Sequence, residues 1–443
     1  MGLLSRSYVA FQSIILAQGG SRFRQNFLKV ARANIIAQAA PLAAVPILTR
    51  LYTPADFGAM ALFASVLQIS LAVVTMRFGW SVPNASTRAG GAACIAMGII
   101  VLLICGTLSI VAASFGKVAL TFWEGYQPLS PLLPLLPAAL IAGGLLELLQ
   151  AWHIRMADLG PVGTGRITQS SATLTSQAIC GWLQLGATGL AVSSVLGTVA
   201  ATIYMLKRSK VLLSELRRIT GRRVATTWRR FWREASASTL VSLVNAATLA
   251  VIPVLLAHFF GATEVGWYAL MYRLAITPLS TLTSAISQSF WAEAAQLVRI
   301  DAKRLEAIYL NSSKRLMWVA VPTLLVALAG PGYIGPILGD HEWHEAGYIL
   351  AALGPMLAST IAVQPLTHLI VHRKQIWKVY LDASRLIALV AAISTLSSSG
   401  FSIYIVVTAT SLIFVISYAT LFFLNLICLR RAVQRQIVPG QLK

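Results

Sequence analysis

Between residues 167 and 206 the chain carries no Asp, Glu, Lys or Arg. That stretch is long enough for two passages through a bilayer, because a helix needs about 20 apolar residues to cross the hydrocarbon. Gly186-Ala187-Thr188-Gly189 marks the break between the two passages. In lipid every backbone N–H and C=O must be satisfied internally, so such segments are helices. Similar windows recur along the 443 residues, of which only 11% are charged, against roughly 25% in soluble domains. The chain reads as an all-α integral membrane protein.

Twelve spans follow from these windows: residues 31–49, 57–76, 92–114, 131–152, two within 167–206, then 236–257, 267–288, 317–338, 348–370, 376–396 and 403–427. The charges support an even count. With both termini cytoplasmic, only Arg50 and Lys117 of the 35 Lys and Arg fall in outside loops, and Arg273 and Arg385 fall inside spans. All the others lie on the cytoplasmic side, which is the positive-inside pattern. An error of one span would scramble it. The net charge of +21 is thereby explained by orientation and by anionic lipid, without nucleic acid.

An internal repeat organises the spans. Residues 46–63, PILTRLYTPADFGAMALF, form the tight turn of a membrane hairpin, with Tyr52-Thr53-Pro54 as the turn and Asp56 as a cap for the next helix. Residues 253–271 repeat the pattern: Pro46 aligns with Pro253, Asp56 with Glu264 and Gly58 with Gly266. Two related halves follow, as in many transporters. The expected organisation is a cytoplasmic segment 1–30, an N-lobe 31–206, a basic linker 207–235, a C-lobe 236–428 and a cytoplasmic tail 429–443. The linker reads as a solvated connector that touches anionic lipid. Residues 8–17 are apolar but too short to span, and read as lying along the membrane surface. Residues 289–315 read as an amphipathic helix along the inner interface. Cys94, Cys105, Cys180 and Cys428 lack metal-ligand spacing and read as small buried apolar groups.

The hairpin ILTRLYTPADFGAMALF resembles the signature near the start of polysaccharide flippases. These are the O-antigen and exopolysaccharide transporters of the superfamily that includes MATE exporters and the lipid II flippase. Met76-Arg77-Phe78, the stretch Gln150-Ala151-Trp152-His153-Ile154-Arg155 and residues 181–197 resemble that family in place and order. Gly79-Trp80-Ser81 departs from it, lacking the glutamate and alanine often found there. The resemblance implies two pseudo-symmetric six-helix lobes around a central cavity, in a bacterial inner membrane. It implies a substrate of undecaprenyl-diphosphate-linked oligosaccharide, moved from the cytoplasmic to the periplasmic leaflet by alternating access. Membrane lipids and a polysaccharide polymerase with its chain-length regulator are the other implied partners.

Such a substrate presents phosphates and hydroxyls, which suit arginine forks and amides. Charges inside spans are costly, so they are functional candidates. Arg273 in span eight is the clearest, either binding phosphate or pairing with an acid such as Glu147. Arg32 and Arg77 lie at inner span ends, where they bind substrate or snorkel to the interface. Asn34, Gln38, Asn245 and Gln288 either meet sugar hydroxyls or bond between helices. Asp382 and Arg385 are three apart and favour a local ion pair. Glu147 and Asp382 are the candidates for coupling to protons or sodium. Pro41, Pro46, Pro253 and Pro278 can bend their helices.

No phosphate-cradling glycine loop is present, so neither ATP nor another cofactor is expected. His341 and His344 are three apart, not the four of a metalloprotease helix. The short outside loops and the missing acidic pair argue against an enzyme. A MATE-like exporter of small amphipathic molecules remains the alternative transporter, and a polymerase or glycosyltransferase the alternative enzyme.

Overall fold

The computed structural model describes residues 21–83, 85, 87–120, 124–300, 302–339, 341–366 and 375–437. The apolar run 8–17 lies outside them. The described residues are helical throughout, with no strand. They form two compact units, Met1–Ala246 and Ala247–Lys443.

In the first unit α1 (Ser21–Leu51), α2 (Pro54–Val74) and the short α3 (Phe78–Ser81) are followed by α4 (Arg88–Leu120). A 3-10 run (Glu124–Leu135) precedes α5 (Leu136–Arg155). Pro128, Pro131 and Pro134 lie in that run. Prolines deny the i→i−4 bonds of an α-helix, so the α-helical part of the fourth span starts later than residue 131. Then come α6 (Gly160–Trp182), α7 (Gly186–Arg208), α8 (Lys210–Arg217) and the long α9 (Gly221–Phe259), whose last third belongs to the next unit. The second unit continues with α10 (Ala262–Ile300), α11 (Ala302–Leu328), α12 (Gly330–Leu338), α13 (His344–Val363), α14 (Gln375–Ser398) and α15 (Ile403–Ile437).

Each of the twelve expected spans coincides with helix over its described residues. Nine of the described helices are long and apolar enough to cross a membrane, and α11 with α12, bent by 67°, makes ten. The other two expected spans, α6 and α10, are diluted by Thr, Ser and Gln in α6 and by Arg273 with several Ser and Thr in α10. Many large apolar side chains face outward, among them Trp318 (83% exposed), Phe115 (72%) and Ile416 (66%). So many exposed large apolar side chains are unfavourable in water and fit hydrocarbon. One expectation fails. Residues 289–315 do not form a separate surface helix; α10 runs on to Ile300 and α11 starts at Ala302. The stretch 289–315 has no Gly or Pro, so its residues propagate the two long helices rather than nucleating a third.

The repeated hairpins are visible in the structure. α1 and α2 are joined by two residues, and so are α9 and α10. Pro46 lies inside the first helix of one pair and Pro253 inside that of the other. Asp56 and Glu264 occupy the first turns that follow. Thr53 and Asp56 form a capping box on α2, satisfying two of the N–H groups that a helix start leaves open.

Polar contacts tie α1 to α6 along its length. Arg166 donates to Asn34 Oδ1 at 2.6 Å, Ser170 to the Ala37 carbonyl at 3.0 Å, and Tyr52 to the Gln177 carbonyl at 2.7 Å. Burial, with Cys180 and Asp56 nearby, pushes the Tyr52 phenol up to about 12. Its proton is therefore always there to donate. α6 packs closely on α7 at Gly197, where a Cβ would lie 2.7 Å from the Gln169 carbonyl oxygen.

Candidate functional site

The first unit breaks its second span at a point that carries charge. α2 ends at Val74, and Met76 and Arg77 adopt positive φ, 43° and 52°. Left-handed backbone in non-glycine residues costs about 1–2 kcal/mol each, so the surroundings must hold this turn in place. One restraint is an ion pair. Arg77 Nη1 lies 3.0 Å from Glu147 Oε1 on α5, and both side chains are about one quarter exposed, at 24% and 26%. Thr75 approaches the other carboxylate oxygen at 3.5 Å. The guanidinium also lies over the Trp80 ring, 5.5 Å from its centroid. Arg77 Nε is buried with no hydrogen-bond partner among the described residues. Snorkelling therefore does not describe Arg77. Glu147, the alternative partner for Arg273, is engaged within its own unit.

Glu147 borders a cavity of about 320 Å³ lined from α2, α5, α6 and α7. Its polar wall consists of Glu147, Gln150, Gln169, Ser194 and Thr198; the rest is apolar. Gln169 Nε2 donates to Thr198 Oγ1 at 3.2 Å. A mostly apolar concavity with one carboxylate and four uncharged polar groups in its wall can hold water or a sugar hydroxyl at that wall. Gln150, Gln169, Ser194 and Thr198 were not among the expected site residues. A helical-spacing signal was available: Glu147 and Gln150 are three apart and Ser194 and Thr198 four apart, each pair sharing one helix face.

An arginine straps the loop after α3 in this unit. Arg155, the last residue of α5, donates from Nη1 to the Val82 carbonyl at 2.7 Å and from Nη2 to the Thr87 carbonyl at 2.7 Å. One guanidinium thus satisfies several carbonyls of the loop between α3 and α4. Gly91 makes room for it, since a Cβ there would meet Arg155 Nε at 2.7 Å.

The remaining candidates are dispersed. Asn34 and Gln38 lie half-buried on α1, and the Asn34 amide oxygen is already occupied by Arg166. Asn245 is exposed on α9. Arg32 on α1 and Gln288 on α10 have side chains outside the described residues. Arg273 on α10 is exposed, and its side chain makes no ion pair or hydrogen bond among the described residues. A charge within a span costs about 3 kcal/mol when left without a polar neighbour, so this guanidinium is a candidate for water or an anion beside it.

In the second unit the expected local pair forms. Arg385 Nη2 lies 2.8 Å from Asp382 Oδ1, and both side chains are only 8% exposed. The guanidinium stacks over Phe414 of α15, 4.9 Å from the ring centroid, a favourable placement for a cation in a dry site.

Tight repeated hairpins in a multi-pass helical bundle define the class as a polytopic membrane protein, and its fold is one found among transporters. A multidrug resistance MATE family transporter of the MOP superfamily, in an inward-facing conformation, superposes with a TM-score of 0.61 at 14% identity, covering 96% of this chain and 98% of that one. A MOP superfamily transporter from Pyrococcus furiosus Vc1 gives 0.59 at 15%, covering 93% and 96%. The eukaryotic MATE transporter AtDTX14 gives 0.54 at 12%, covering 94% and 99%. No curated protein matches this sequence. Residues 47–347 match the polysaccharide biosynthesis protein family, and the chain belongs to it.

Proposed function

We propose that the protein is a flippase that moves undecaprenyl-diphosphate-linked oligosaccharide from the cytoplasmic to the periplasmic leaflet by alternating access. One observation carries this reading: a chain of a polysaccharide biosynthesis family has the fold of MOP superfamily transporters. Biosynthesis needs its lipid-linked intermediates on the far side of the membrane, and a transporter fold supplies that step without bond-making chemistry.

In this reading Arg273 meets the diphosphate, because a bidentate guanidinium without a competing acid is the strongest partner for it. Arg32 and Arg77 assist at the inner end, and Asn34, Gln38, Asn245 and Gln288 meet hydroxyls. Glu147 is a better coupling group than Asp382: each is paired with an arginine, but Glu147 borders a cavity and is about one quarter exposed, whereas Asp382 is almost fully buried. The membrane is the bacterial inner membrane with both termini cytoplasmic. A polymerase and a chain-length regulator use the product.

The test is the sidedness of undecaprenyl-linked sugars in cells lacking the protein. Accumulation of complete repeat units on the cytoplasmic leaflet is the expected result. Repeat units that reach the periplasm unpolymerised, or are never completed, overturn the reading in favour of an enzyme or another substrate.

A further inference from the structure

The stretch 207–233 holds ten Lys and Arg, with Glu215 and Glu234 as the only acids in or beside it. A loose connector would account for such charge, but this stretch is not loose. Leu212, Phe231 and Ala235 are buried in the same apolar core as Phe78 and Trp152, and Leu216, Ile219 and Trp228 pack against that core. The Trp228 ring sits 5.7 Å from that of Phe78. Ser209 is buried, and its hydroxyl lies 3.1 Å from His153 Nε2.

The cations therefore stand on a fixed scaffold. All ten are exposed. Between them stand exposed apolar groups: Trp232 (42%), Val211 (48%) and Leu213 (39%). Trp80, on α3 beside Phe78, is 66% exposed. Two of these indoles lie under guanidinium groups, Trp80 under Arg77 and Trp232 under Arg233, at 5.5 and 5.6 Å. Cations for phosphate beside indoles for the acyl boundary are the chemistry of a membrane interface. A nucleic acid would use the cations and leave Val211 and Leu213 in water.

We propose that residues 207–233 form a docking surface for anionic phospholipid headgroups, with the phosphates on the Lys and Arg side chains and Trp80, Trp232, Val211 and Leu213 in the acyl boundary. The scaffold is ordered before the lipid arrives, so binding costs little conformational entropy. The surface does not depend on what the protein transports.

The test uses the full chain in mixed micelles of phosphatidylglycerol and phosphatidylcholine, with retained lipid read by native mass spectrometry. The wild-type protein is expected to hold phosphatidylglycerol at least about tenfold better than phosphatidylcholine. Replacing Arg217, Arg218, Arg222, Arg223, Arg229 and Arg230 by Gln should remove that preference, and replacing them by Lys should keep it. A Gln variant that keeps the preference overturns the proposal, as does a Lys variant that loses it. A second measurement needs no substitution. Raising ionic strength from roughly 0.05 to 0.5 M should release the phospholipid from the wild-type protein, and retention unchanged by salt overturns the proposal. So does displacement of the lipid by a short single-stranded RNA at equal phosphate concentration.

Discussion

The Asp56 carboxylate accepts a hydrogen bond from the Ala187 backbone N–H at 2.8 Å. The two residues lie at the starts of different helices, α2 and α7. Asp56 Oδ2 serves its own helix through the Thr53 N–H (3.0 Å) and hydroxyl (2.9 Å), while Oδ1 serves the next hairpin. One carboxylate therefore caps two helix starts, and its charge also suits the positive end of each helix dipole. Gly186, at φ +54°, brings the α7 backbone close; a Cβ there would meet Asp56 Oδ1 at 2.8 Å.

Asp56→Ala removes the carboxylate's bonds to the Thr53 N–H and the Ala187 N–H, while the Thr53 hydroxyl still caps the backbone N–H of residue 56. Each lost bond is worth about 1 kcal/mol, so the loss should be about 2 kcal/mol. Thermal unfolding of the purified protein in detergent checks this. Asp56→Asn keeps an acceptor oxygen and should recover about half. An Asp56→Ala protein that melts with the wild type would remove the double cap from the fold's energetics.

Much of the architecture could be read from the sequence because the bilayer demands long apolar helices and one-sided cations. The twelve helical segments and the repeat of residues 46–63 at 253–271 are of that kind. What could not be read depends on partners far apart in the chain. Arg155 looked like an ordinary inside cation, yet its guanidinium serves carbonyls from Val82 to Thr87. Arg77 looked like a snorkelling residue because nothing nearby in sequence shows that Glu147 waits on another helix. The α10–α11 region was misread because its charges alternate with apolar residues, a pattern equally suited to a helix end leaving the membrane. The Asp382–Arg385 pair was legible, since both partners lie on one turn.

The Arg77–Glu147 pair should show coupling in a double-mutant cycle. Arg77→Ala leaves a carboxylate without its cation, and Glu147→Ala leaves a guanidinium on strained backbone. The double variant should therefore be less destabilised than the sum of the two, by about 0.5–3 kcal/mol. The partial exposure of both side chains places the effect below that of a fully buried pair. Additive losses would mean that the contact carries no energy.

Asp382 and Arg385 predict a larger asymmetry. Arg385→Met strands a carboxylate in a dry site, which costs about 3–5 kcal/mol. Pairing it with Asp382→Leu removes the stranded charge and should restore most of the stability. The ratio of folded to aggregated protein in size-exclusion chromatography after mild heating reads both. If the double variant behaves no better than Arg385→Met, the loss comes from the stacking on Phe414 rather than from the ion pair.

Arg273 separates transport from folding. Its side chain has no ion pair or hydrogen bond among the described residues, so Arg273→Ala removes a charge from a span without orphaning a partner there. Stability should hold or rise slightly, because an intramembrane cation is costly when empty. Transport should fall more than tenfold, since each charge-assisted bond to a phosphate is worth about 1.5–3 kcal/mol. Arg273→Lys keeps the charge and loses the fork, so it should fall between the two. Surface polysaccharide, normalised to the amount of protein in the membrane, is the measurement. Wild-type levels in the Arg273→Ala strain would place the phosphate contact elsewhere, with Arg77 and its unpartnered Nε the next residue to test.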